Sequence, residues 1–124
     1  MSIVLPDGIY KGDYKDKREG NGVMKYANGD VYDGSWVNNK KNGNGVMKYA
    51  NGDVYDGYWI DDEKDEEGRM QFANGDIYDG GWFQGEINGG GVMNYTNGDI
   101  FVGYWSYGNY DEEERSKMTY ANGD

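Results

Sequence analysis

The chain has 124 residues, of which 22 are glycine and one proline; 36% are hydrophobic, 16% aromatic, and the formal net charge is −11. It has no cysteine and no histidine, which removes disulfide frameworks, thiolate or imidazole zinc sites, and Ser-His-Asp or Cys-His catalysis. So many aromatics argue against disorder, and the acidic balance argues against nucleic acid as a partner.

The first predicted element is a short strand at Ser2–Leu5, closing an N-terminal edge segment (1–9) that has too short an apolar run for a signal sequence or membrane span. With the cysteine-free composition, this predicts a cytoplasmic protein. From Tyr10 the chain repeats itself. The fourteen residues NGVMKYANGDVYDG stand at 21–34 and again, unchanged, at 44–57, and Asn-Gly pairs begin at Asn28, Asn51, Asn74, Asn97 and Asn122. Copies of about 23 residues follow: 10–31, 32–54, 55–77, 78–100 and 101–124. A period of this length marks a repeat architecture in which each unit needs its neighbours to complete a core.

Within a copy the alternation has period two. In VYDGSWV (31–37), Tyr32, Gly34 and Trp36 share a face; in GNGVMKYA (43–50), Gly43, Gly45, Met47 and Tyr49 share one. Two strands per copy are expected. The tight ANGD turn should take positive φ at both central residues, and the variable segment NNKKNG should form a looser turn. Glycine is too dense for helix, and no stretch holds a 3.6-residue spacing. The predicted fold is all-β: an elongated, twisted, single-layer antiparallel meander of about ten short strands. Glycines on the aromatic face, Gly12, Gly34, Gly57, Gly80 and Gly103 with the pairs Gly43/Gly45 and Gly89/Gly91, leave room for rings to lie on the backbone.

These residues resemble the MORN repeat, a unit of about 23 residues reading roughly Tyr-x-Gly-x-Trp, a variable turn, Gly-x-Gly, an aromatic, then Asn-Gly. The segments YDGSWVNNKKNGNGVMKYANGD (32–53) and YDGGWFQGEINGGGVMNYTNGD (78–99) fit at every defined position. Copy one departs by placing Tyr14 where Trp stands elsewhere and by a turn one residue shorter. Copy three has Glu66 for the first turn glycine, keeping Gly68. Copy five has a two-residue insertion and Glu114 and Ser116 for the glycine pair, which puts its hairpin in doubt. The resemblance implies a scaffold or assembly part, or alternatively association with acidic phospholipids and phosphoinositides.

The search for chemistry returns little. Asp33, Asp56 and Asp79 recur with the repeat and read as structural; Asp30 and Asp33 fall on opposite faces of a strand, which does not suit calcium. No cofactor, metal or catalytic residue is expected. The aromatic row remains: Tyr32, Trp36, Tyr49, Tyr55, Trp59, Phe72, Tyr78, Trp82, Tyr95 and Trp105. Either it stays open as a groove or ring-on-glycine packing satisfies it; the groove is the favoured reading. An amphipathic helix would anchor there through residues at i, i+3, i+4 and i+7. Residues 1–49 hold eight Lys/Arg against six Asp/Glu, whereas 50–124 hold four against seventeen, so the expected partner helix is basic. The same charge disfavours membrane lipid. Sheet edges at either end invite self-association into homo-oligomers.

Overall fold

A computed structural model describes residues 2–106, 109–110 and 117–119. Among these there is no helix. The edge strand β1 (Ser2–Leu5) leads into the hairpin β2 (Gly8–Tyr14) and β3 (Arg18–Tyr26). Three near-identical hairpins follow: β4 (Val31–Val37) with β5 (Lys40–Lys48), β6 (Val54–Ile60) with β7 (Glu63–Gln71), and β8 (Ile77–Phe83) with β9 (Glu86–Asn94). After β10 (Ile100–Ser106) come two short strands, β11 (Asn109–Tyr110) and β12 (Lys117–Thr119). Spatial order equals chain order from β1 to β10, every pairing is antiparallel, and β11 and β12 both pair with β10. This is the expected all-β meander, one open sheet. The expected departures at Glu114 and Ser116 lie outside the described residues.

The two turns exchange the roles expected of them. The variable segment contains the two-residue turn: Asn38 and Asn39 have φ of 52° and 69°, Asp61 and Asp62 46° and 72°, and Gln84 and Gly85 48° and 88°. Positive φ at both central residues is the geometry whose twist matches that of a hairpin. In the Asn-Gly turn only the glycine is left-handed, with Gly29 at φ 101°, its N–H donating to Tyr26 O at 3.0 Å and Tyr26 N–H donating to Asp30 O at 2.9 Å. That is a three-residue loop with a bulge glycine. The Asn and Asp around it have separate work. Asn28 Oδ1 accepts from Asp30 N–H at 2.9 Å, and Asp30 Oδ1 accepts from Ala50 N–H in the next copy at 2.8 Å. Asp53 and Asp76 repeat the contact to Ala73 and Thr96 at 2.7 and 2.9 Å. Each of these three Asn-Gly-Asp turns therefore ties one copy to the next.

A register shift follows the glycine of the first strand in each of the four hairpins β2–β3 to β8–β9, between Gly12 and Tyr14, Gly34 and Trp36, Gly57 and Trp59, and Gly80 and Trp82. The second strand takes up the shift with a left-handed residue: Gly20 (φ 63°), Gly43 (98°), Glu66 (57°) and Gly89 (88°). Gly43 and Gly89 thus serve the bulge rather than seating a ring, which corrects their expected role. Glu66 holds the same conformation against the steric cost of its Cβ.

The other glycines line up. Gly12, Gly22, Gly34, Gly45, Gly57, Gly68, Gly80, Gly91 and Gly103 pair successively across neighbouring strands, one per strand from β2 to β10. They make a bare trough along the ribbon, and the core fills it.

Candidate functional site

Tyrosine rings occupy the trough. A Cβ added at Gly45 would fall on the Tyr32 ring, and the same holds for Gly22 with Tyr10, Gly68 with Tyr55, and Gly91 with Tyr78. Each phenol donates to the carbonyl three residues on: Tyr32 to Ser35 at 3.0 Å, Tyr55 to Tyr58 at 3.0 Å and Tyr78 to Gly81 at 3.1 Å. Burial is the main reason these three phenols have pKa values raised above the ordinary tyrosine range, Tyr78 to about 12.

Tryptophans lock the tyrosines from both sides. Tyr32 meets Trp36 of its own copy edge to face at 5.0 Å and Trp59 of the next at 5.5 Å; Tyr55 meets Trp59 and Trp82 at 5.1 and 5.2 Å. The ladder continues through Tyr78 and Trp105 to Phe101. Such contacts are worth about 0.5–1.5 kcal/mol each beyond area burial. The indole N–H groups of Trp36, Trp59 and Trp82 donate to the carbonyls of Gly22, Gly45 and Gly68 at 3.0–3.2 Å.

This inner row is closed. Tyr32, Tyr55 and Tyr78 are fully buried, and Trp36, Trp59, Trp82 and Trp105 are 1–7% exposed. The expectation of an open groove formed by all ten aromatics is corrected accordingly: these seven are spent on the fold, because each Tyr is enclosed by glycine backbone below and two indoles at its sides.

A second row stays within reach. Tyr49, Phe72 and Tyr95 are half-buried against the core, and Tyr26 of the first copy joins them. Burial raises the Tyr26 phenol to about 12, with Arg18 opposing and the carboxylates of Asp62, Asp7 and Asp30 assisting. Beside this row lies a line of cations that the sequence reading passed over, although its 23-residue spacing was visible: Arg18, Lys41 and Lys64. The Arg18 guanidinium lies 4.7 Å from the Trp36 ring centre. Lys41 Nζ stands over Tyr26, Tyr32 and Trp59 at 5.3–5.8 Å and contacts Asp62 at 3.3 Å. Lys64 Nζ stands over Tyr49, Tyr55, Trp59 and Trp82 at 5.1–5.6 Å. Cations over ring faces are attracted by the ring quadrupole. In the fourth copy Ile87 takes the position, packed on the core.

The MORN-repeat family model matches residues 10–31, 32–54, 55–77 and 78–100. The chain belongs to the MORN-repeat family. Four copies are matched where the sequence reading counts five; the fifth span, 101–124, lies beyond them. MORN repeats are non-catalytic modules that mediate interactions with proteins or membranes. No curated protein matches the chain in sequence. A similar solved structure is the SAS-4 (dCPAP) TCP domain in complex with a proline-rich motif of Ana2 (dSTIL) of Drosophila melanogaster; it is 15% identical, covers 100% of this chain and 85% of that one, and has a TM-score of 0.42. Among the described residues, no cluster of three or more His, Cys, Asp or Glu could hold a metal ion.

Proposed function

We propose that this MORN array is a non-catalytic scaffold whose outer aromatic row, Tyr26, Tyr49, Phe72 and Tyr95, receives an amphipathic helix of a partner protein. The observation carrying this reading is the recurrence of one half-exposed ring per copy on the core side of the sheet. Two strands separate successive rings, about 9.5 Å at ordinary strand spacing. Seven residues of helix rise about 10.5 Å. A helix laid across the strands therefore meets the row with anchors at i, i+7 and i+14, backed by i+3 or i+4 neighbours. Tyr, Trp and Met surfaces of this kind are favoured at interfaces. The acidic stretch at 61–67 runs from the turn after β6 into β7, so Lys and Arg on the flanks of the helix complement it.

Association with acidic phospholipids is the second reading, resting on the cation line. Two of its three members are already engaged, Arg18 with Asp7 at 3.6 Å and Lys41 with Asp62 at 3.3 Å, and the net charge of −11 opposes anionic surfaces. Self-association belongs to the same proposal through β1, an edge strand whose Val4 is 82% exposed.

Photo-crosslinking residues placed at Tyr49 and Phe72 should capture one polypeptide from native lysate, and the Tyr49→Ala/Phe72→Ala variant should fail to bind it. Undiminished binding by that variant overturns the reading. Pelleting with anionic vesicles at physiological salt, in place of protein capture, would favour the lipid alternative.

A further inference from the structure

Lys41 and Lys64 occupy one position in successive copies, and the backbone and rings around them correspond closely. Each backbone carbonyl accepts from the second residue of the following two-residue turn, Lys41 from Asp62 N–H and Lys64 from Gly85 N–H, both at 2.9 Å. Both turn residues are left-handed, at φ 72° and 88°. Each ammonium stands over rings of the ladder. The difference lies in the turn side chain. Asp62 Oδ1 accepts from the Lys41 backbone N–H at 2.7 Å and lies 3.3 Å from Lys41 Nζ, so one carboxylate oxygen serves two donors. For Arg18 in the first copy, Asn39 Oδ1 of the second similarly accepts from the Arg18 N–H at 2.8 Å. For Lys64 in the third copy the corresponding turn residue is Gly85 of the fourth, and a Cβ built there meets nothing within 4 Å.

Lys64 therefore keeps both donors and lacks the acceptor. Among the described residues no carboxylate makes an ion pair with it. Asp65, its neighbour in sequence, is committed to the N–H groups of Glu66 at 2.8 Å and Gln84 at 3.3 Å. Burial, and then the Lys41 charge, hold the Lys64 ammonium below the usual lysine range, with Asp53 opposing. A half-buried ammonium over four rings gains from a charge-assisted hydrogen bond that it does not find among the described residues.

We propose that the junction of the third and fourth copies is a receptor for a carboxylate side chain, Asp or Glu, of a partner protein, entering the open space over Gly85 and taking the Lys64 N–H and ammonium as Asp62 takes those of Lys41. This rests on the scaffold reading and sharpens it: the docking segment carries one acid among its apolar anchors, with its bases turned to the acidic stretch at 61–67. The source is a side chain rather than a chain terminus because the built-in precedent, Asp62, is one.

The test is a titration of the full chain, labelled with nitrogen-15, with N-acetyl-glutamyl amide, whose only charge is the side-chain carboxylate. The Lys64 amide signal should shift saturably while that of Lys41, already occupied, stays in place. N-acetyl-glutaminyl amide should move neither. Gly85→Asp supplies the missing carboxylate at a φ that Asp62 tolerates, and should weaken the probe at least tenfold with signals of distant copies unchanged. Lys64→Met, which keeps the stem and removes the charge, should weaken it several-fold. The proposal is overturned by no saturable shift, by equal shifts at Lys41 and Lys64, or by undiminished binding in both variants. It is also overturned if inorganic phosphate or N-acetyl-alanine, bearing only a terminal carboxylate, moves Lys64 more than the glutamyl probe does. A failed titration leaves partner capture at Tyr49 and Phe72 untouched, and failed capture leaves the titration interpretable.

Discussion

The inner and outer aromatic rows are written in the same alphabet and sit on the same side of the sheet, yet their fates differ. Tyr32 has glycines beneath it and an indole at either side, so its ring is fully enclosed. Tyr49, just past the end of the following strand and beyond the Met47 position, has the core on one side and Lys64 Nζ at 5.1 Å above it, and remains half-buried. Enclosure thus depends on backbone without side chains, and the trough of glycines is one residue wide per strand. Rings in the trough build the ribbon, and rings beside it stay half-exposed.

Substitutions in the two rows separate these roles. Trp59→Ala removes an indole shared by Tyr32 and Tyr55 together with its bond to Gly45 O, and should cost about 3–5 kcal/mol, read as a lower urea midpoint. Trp82→Ala should behave alike. Gly68→Ala leaves every ring in place but drives a methyl into Tyr55, costing about 1–3 kcal/mol through overpacking. A Gly68→Ala protein as stable as the native one would dissolve the distinction between trough and flank. The Tyr49→Ala/Phe72→Ala variant removes flank rings only; since each is half-exposed, denaturant unfolding should report a loss smaller than that of Trp59→Ala while binding is abolished. The smallest effect has the opposite sign. Glu66→Gly relieves the one non-glycine residue at the bulge position and should raise stability by about 0.5–1 kcal/mol, visible as a higher melting temperature.

The period and the alternation were enough to predict the meander, the face shared by Tyr32, Trp36 and Met47, and room for rings on glycine backbone, since each is a local consequence of spacing. Turn geometry was not legible from Asn-Gly, because that pair suits both a two-residue turn and a three-residue loop with a glycine bulge, and only the bonds of Tyr26 to Asp30 and Gly29 distinguish them. Closure of the inner row was likewise hidden: it depends on Tyr32 meeting Trp59, residues 27 positions apart in neighbouring copies. The difference between Asp62 and Gly85 is plain in the sequence, but its meaning appears only once both residues are seen to stand over equivalent lysines.

All four tryptophans of the chain stand in the inner row, so one optical measurement addresses the division between rows directly. Acrylamide quenching of tryptophan fluorescence in the free native protein should be weak, rising to the level of exposed indole only when the chain is unfolded in denaturant. Native indoles quenched as readily as unfolded ones would mean that the trough stands open, which contradicts a core built from rings sealed on glycine backbone.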